Sequence, residues 1–205
     1  MVVCAGNNEI ISYATPIGVG LVESSIGLTR LCMKEYVENL VFIGSAGAYS
    51  YDLPLLTVCV SSRATQIESS LITGASYTPL DNVIELEMGK SVSRETLWKS
   101  SGNIIGSHDV VVNSSNYITL DSVVATQMSQ AGIAIENMEF FSVLAVAREF
   151  GIPAFGVFCI TNYCDKNART DFMRNHTKAK EILAEFIAGL TSKDKREENK
   201  SIGGV

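Results

Sequence analysis

Histidine is scarce in this chain, with only His108 and His176 in 205 residues. Neither stands in a recognisable nucleophile setting, so a Ser-His-Asp hydrolase is excluded. Without a cluster of His or Cys, no zinc centre is expected. The five cysteines (Cys4, Cys32, Cys59, Cys159 and Cys164) form no CxxC pair. Most fall in apolar runs, which reads as buried free thiols in a reducing, cytoplasmic setting. Positive charge is not in excess either. The net charge is −6 and charged residues make up 19% of the chain. No basic face is visible, so nucleic acid is not an expected partner. No apolar run approaches eighteen residues, so no membrane span is expected. The stretch MVVCAGNNEI lacks the basic and long apolar regions of a signal peptide. The absence of a GxxxxGK[ST] loop argues against nucleoside triphosphate hydrolysis. No internal repeat is present.

What the chain has is apolar residues, 46% of the total and enough for a sizeable core. The expectation is one domain over residues 1–191, followed by a polar, Gly-ended tail (192–205) that frays. The most informative stretch is Ile135 to Asp165. From Glu139 to Phe150, the residues Phe140, Val143, Leu144 and Ala147 recur at three-and-four spacing, the pattern of a helix with one apolar face. Gly151 and Pro153 then supply a helix stop. Ala154 to Ile160 is an apolar run of strand length, buried on both faces. Its carboxyl end is Thr161-Asn162-Tyr163-Cys164-Asp165, and the helix start carries Glu136, Asn137 and Glu139. Ligands of open α/β sheets collect at such strand ends.

Elsewhere, Val2 to Ala5 and Glu9 to Ala14 read as two short strands around a turn at Gly6-Asn7-Asn8. Gly18-Val19-Gly20 precedes a helix over Leu21 to Lys34, either to hold an anion at the helix start or as a plain turn. Asn39 to Ile43 is a strand followed by Gly44-Ser45-Ala46-Gly47. Those small residues admit a ligand close to the backbone, or make a turn with positive φ. Leu55 to Ser62, Val83 to Met88 and Asn103 to Val112 read as strands, and Glu68 to Asp81 as a long loop. Asp121 is the expected N-cap of a helix through Gln130. Arg169 to Leu190 is an amphipathic helix whose stripe, including Phe172, Ala179, Leu183 and Phe186, is read as core. Strands alternating with helices indicate a three-layer α/β/α sandwich around a central mixed sheet.

In their order and spacing these segments resemble the nucleoside phosphorylase and nucleosidase superfamily, over roughly Ala14 to Leu190. Ile43-Gly44-Ser45-Ala46-Gly47 is similar to its Gly-Ser-Ala-Gly segment, and Val60-Ser61-Ser62-Arg63 follows at its spacing. Asn137-Met138-Glu139 is similar to its Glu-Met-Glu motif, and Ile160-Thr161-Asn162 falls where the superfamily carries Ser-Asp or Thr-Asn. The resemblance implies a cytoplasmic enzyme of purine salvage that cleaves the N-glycosidic bond of a purine nucleoside. Either a pentosyltransferase with phosphate as co-substrate and no other cofactor, or a hydrolytic nucleosidase, would fit. A nucleoside-binding paralogue without activity is the rival. The resemblance also implies a homo-oligomer: a dimer, trimer or hexamer.

By position, Glu139 would accept hydrogen bonds from ribose hydroxyls, with Asn137 beside it and Met138 against the sugar. The other reading of Glu139 is a helix-start carboxylate favoured by the dipole. Tyr117 and Ile118 would line the base, Tyr117 otherwise being core. Ser45, Ala46 and Gly47 would form a wall. Asn162 would face purine N7 in place of the nucleosidases' aspartic acid, which tilts the reading toward phosphorolysis. Asp165 is a possible substitute acid, or a surface cap. The superfamily's first strand has no evident counterpart, and Phe42 stands where hexameric phosphorylases carry a phosphate-binding arginine. Glu9 and Arg63 are the nearby residues that could take over lost roles.

Overall fold

The structure is a computed structural model that describes residues 1–88 and 108–202. The chain opens with β1 (Val2–Cys4), a 3-10 turn at Asn7–Glu9 and β2 (Thr15–Pro16). Next come α1 (Gly20–Cys32), β3 (Leu40–Ala48), β4 (Val58–Thr65), the short α2 (Ser69–Ile72) and β5 (Val83–Glu85). It continues through β6 (His108–Asn113), α3 (Ser122–Gln130), β7 (Ile135–Glu136), α4 (Phe140–Glu149), β8 (Ala154–Tyr163) and α5 (Ala168–Ile202). The strands form one mixed sheet in the order β2-β1-β3-β7-β6-β4-β5, with β8 bridging β3 and β4. β3 and β8 run parallel from the Leu40–Ala154 pair to the Ala48–Tyr163 pair, whereas β4 and β8 are antiparallel. Because β7 joins β3 to β6, strands β3, β8, β4, β6 and β7 close a circuit.

Helices α1 and α4 cover one apolar cluster, which holds Leu28, Phe42, Leu144 and Ile160. Helix α5 covers a second cluster with Ala179, Leu183, Phe186 and Val157. Phe42, Phe140 and Phe158, from β3, α4 and β8, pack ring against ring with centroids 5.0 to 6.0 Å apart. A Cβ on Gly156 would stand 2.5 Å from the Phe158 ring and 2.7 Å from Phe140, so glycine is required there. These rings fix the start of α4 against the first halves of β3 and β8. Phe42 is fully buried among them and does not take the place of an arginine at the site.

The structure differs from the sequence reading at several points. Glu9 to Ala14 is not a strand, because Gly6, Asn7 and Tyr13 all have positive φ and turn the chain away from an extended path. A first strand is nevertheless present: β1 lies between β2 and β3, parallel to both. Gly44 to Gly47 is neither turn nor loop but the second half of β3, without positive φ. β4 begins three residues later than expected and ends at Thr65, which places Arg63 within it, half exposed and paired with Glu85 at 3.2 Å. Arg63 is therefore remote from the site. The Glu68 to Asp81 loop contains α2. Residues 103–107 of the strand expected from Asn103 lie outside the described residues. Helical backbone continues from Leu190 to Ile202, through most of the segment read as a tail. No helix among the described residues is long and apolar enough to cross a membrane.

Candidate functional site

A cavity of about 560 Å³ opens at the carboxyl ends of β1, β3 and β8 and at the starts of α1, α4 and α5. This is where side chains and helix N-termini converge in α/β folds. Its lining includes Ser45, Ala46, Gly47, Tyr117, Ile118, Asn137, Met138, Glu139 and Asn162, all singled out from the sequence. It also includes Ala5, Gly6, Asn7, Glu9, Val19, Glu136, Arg169 and Phe172.

The wall is built by close approach of β3 and β8. A Cβ at Gly47 would lie 2.9 Å from the Asn162 Nδ2 and 3.0 Å from the Cys164 Sγ. Glycine here lets the Asn162 amide reach the cavity. Asn162 Oδ1 accepts from the Thr161 hydroxyl at 2.9 Å, and Nδ2 donates to the Tyr163 carbonyl at 3.2 Å. An amide nitrogen carries two hydrogens, so one remains for a ligand.

Asn137 joins the wall to the next helix. Its Nδ2 donates to the Ser45 carbonyl at 3.1 Å, while Oδ1 accepts from the Glu139 and Phe140 N–H groups at 3.0 Å each. The amide thereby satisfies donors left open at the start of α4. Glu139 follows as the N-cap residue of α4 but makes no cap bond with its side chain. Its Oε1 instead accepts the Gly20 N–H at 2.9 Å, at the first turn of α1. The anion at that glycine-lined helix start is thus the protein's own carboxylate. Glu139 is only 2% exposed. Burial pushes its carboxyl up to about 7, against the Gly20 bond, with the nearby Glu9 charge adding to the rise.

Glu9 comes from the turn after β1, where the sequence suggests a strand, so periodicity does not reveal its inward aim. The Ser45 hydroxyl donates to Glu9 Oε1. Burial pushes the Glu9 carboxyl up, opposed by that bond and by His176 and Lys180. Glu136 is occupied structurally: Tyr49 donates to it at 3.0 Å, and Thr119 donates through N–H at 3.0 Å and hydroxyl at 2.7 Å.

Two readings are corrected here. Asp165 does not line the cavity. It accepts from the Tyr51 hydroxyl at 2.8 Å and the Asn167 N–H at 2.7 Å, beside a separate hollow of about 220 Å³. Its side chain instead closes a turn over Asn167 just before α5, because the chain turns outward after Tyr163 to enter that helix. Phe172 belongs to the cavity wall and not to the core stripe, its ring stacked on His176 at 5.3 Å. Arg169 and Phe172 are three residues apart in the first turns of α5, directly after β8, a spacing that could have marked them. Tyr117 is 75% exposed and Ile118 58% exposed, so Tyr117 is not core, and both form the rim.

The sequence profile of the Phosphorylase superfamily matches residues 2–192. The chain belongs to the phosphorylase superfamily. Among superfamily relatives, a DeoD-type 2 purine nucleoside phosphorylase of Shewanella oneidensis is 23% identical over 169 residues, 81% of this chain and 69% of its own length. An aminodeoxyfutalosine nucleosidase of Helicobacter pylori is 24% identical over 191 residues, 90% of this chain and 80% of its own. In fold, the chain resembles an S-adenosylhomocysteine nucleosidase of Streptococcus pyogenes, with a TM-score of 0.76, 13% identity and coverage of 94% and 95% of the two chains. The superfamily acts on the glycosidic bond of nucleosides, as phosphorylases or nucleosidases, and the cavity at the strand ends is where this member presents its polar groups.

Proposed function

We propose that this chain hydrolyses the N-glycosidic bond of a purine nucleoside, with water as the acceptor. The observation that carries this reading is the scarcity of cations in the cavity. Glu9, Glu136 and Glu139 line it, and Arg169, exposed at its edge, is the single cation among the described lining residues. A phosphate dianion needs cations or several convergent N–H donors, and the described lining offers one exposed arginine, whereas an attacking water needs only an acceptor such as Glu9. In this mechanism the ribose hydroxyls donate to Glu139, which has acceptor capacity beyond the Gly20 bond. The bond from C1′ to the base nitrogen breaks, its electron pair leaves with the base, and oxocarbenium character builds on the sugar. Glu9 takes a proton from water as the water oxygen bonds to C1′, and the departing base is protonated from solvent. Asn162 donates its free N–H toward the negative charge growing on the base. Tyr117 supplies an aromatic face at the rim. No metal or other cofactor enters this scheme.

Asn162 supports the phosphorolytic alternative, because an amide in place of an acid suits stabilisation better than protonation. The test is base release from inosine, adenosine and methylthioadenosine, each with and without phosphate. Phosphate-independent release is expected. Release that requires phosphate would establish phosphorolysis, and binding without release would mark an inactive nucleoside-binding paralogue.

A further inference from the structure

The rim of the cavity is carried by the segment from Ser115 to Leu120, between β6 and α3. Among the described residues, no backbone–backbone hydrogen bond involves this segment. Side chains hold it instead. At its start the Ser115 hydroxyl accepts the Tyr117 N–H at 3.1 Å and donates to Glu68 at 3.1 Å. Asn116 Oδ1 accepts the Leu21 N–H at 2.9 Å, in the first turn of α1. At its end, both donors of Thr119 go to Glu136 of β7, the N–H to Oε1 and the hydroxyl to Oε2. Oε2 also accepts from Tyr49, directly after β3, and the Tyr49 oxygen is met by Asn113 Nδ2 of β6 at 3.4 Å. One buried carboxylate therefore ties the rim to three strands of the sheet.

We propose that Glu136 is a positioning residue for the base, holding through Thr119 the segment whose Tyr117 and Ile118 meet it. This rests on the reading that the cavity takes a purine nucleoside with its base against that rim. Tyr117 and Ile118 immediately precede Thr119, so a shift of Thr119 carries both side chains with it. Hydrogen bonds to a carboxylate are stronger than those between neutral groups, and burial keeps water from competing for them. Burial pushes the Glu136 carboxyl up, but the Thr119, Tyr49 and Cys164 donors all oppose this rise. Glu136 also stands beside Asn162: a Cβ on Gly47 would lie 3.3 Å from the Glu136 Cγ and 2.9 Å from the Asn162 Nδ2. The rim and the amide aimed at the base are thus set from one place in the wall.

The test is a double-mutant cycle on the affinity for formycin A, a purine-like nucleoside whose base is joined to the sugar through carbon and is not released. Calorimetry on the native protein, Glu136→Leu, Tyr117→Ala and the double variant gives the coupling. Glu136→Leu should weaken binding about tenfold, and Glu136→Gln, which keeps an acceptor for the Thr119 N–H, should recover most of that loss. In the Tyr117→Ala background the same loss should shrink to about twofold, because the ring being positioned is gone. A merely structural role would lower the melting temperature without this coupling. No loss in Glu136→Leu, or a loss of full size in the Tyr117→Ala background, would overturn the proposal. If Glu136→Leu does not fold, Thr119→Val removes one of the two rim bonds and takes its place in the cycle. If the native protein binds no nucleoside, the functional reading fails separately. Hydrogen exchange without ligand then decides: the amide at position 119 should exchange about tenfold faster in the folded variant than in the native protein, and equal rates would overturn the proposal.

Discussion

Glu139 shows how much one residue's environment decides. Burial pushes its carboxyl up from the ordinary 4.5 to about 7, despite the Gly20 N–H. Between these values the unfolded chain loses its proton while the folded chain keeps it, so this group's stabilisation is full below 4.5 and is lost as pH rises through 7. At roughly 1.4 kcal/mol per pH unit, the change is about 3 kcal/mol. Thermal melts from pH 4 to 8 should therefore fall less steeply for Glu139→Gln than for the native protein. Parallel curves would show that Glu139 does not carry the penalty. Asn162 makes a second prediction at this scale. Asn162→Asp places an acid that can protonate the departing base, a contribution on the order of 100-fold in general acid catalysis. If the proposed hydrolysis is right, base release without phosphate should rise. A fall would mean that the amide's donated hydrogen bond matters more than a proton.

At the scale of elements, the site depends on how closely β3 and β8 run together. Gly47 faces Asn162 and Cys164, side chains that can shift, and no backbone atom is among its nearest neighbours. Gly47→Ala should therefore fold, at a cost of about 1 kcal/mol, while displacing the Asn162 amide by a few tenths of an ångström. The expected result is a melting temperature within a few degrees of native and a loss of activity of at least tenfold. Unchanged activity would show that Asn162 need not stand where it does. The Ile135–Asp165 unit was legible from the sequence because its signals are local. Apolar spacing gave α4, Gly151 with φ +66° gave its stop, and an uninterrupted apolar run gave β8. Asp121 likewise caps α3 through the Val123 N–H at 2.8 Å. Val2 to Ala5 reads as a strand and contains β1, whereas Glu9 to Ala14 is not a strand, because the positive φ at Asn7 and Tyr13 leaves no signature in the spacing of apolar residues.

For the whole molecule, the rim of the cavity matters most. Tyr117, Ile118, Leu120 and Val123 are all more than half exposed along one short stretch. Such a patch beside a site is a candidate for coverage by another copy of the chain. A homo-oligomer is the proposal, and size-exclusion chromatography with light scattering at micromolar concentration should give a multiple of 22.1 kDa. A monomer at that concentration would contradict it.

By itself the sequence determined the longer helices, but not α2 or the far end of α5, and most of the buried strands, since periodicity and stop residues act within a few positions along the chain. It also singled out Glu139, Asn162 and the Ser45–Gly47 wall, through short motifs whose order resembles a known superfamily. Only the tertiary structure decided that Glu9 enters the cavity, that Phe172 leaves the core stripe to line it, and that Asp165 and Arg63 stand elsewhere. Burial, charge neighbours and close approach arise between segments distant in sequence, so no local pattern records them.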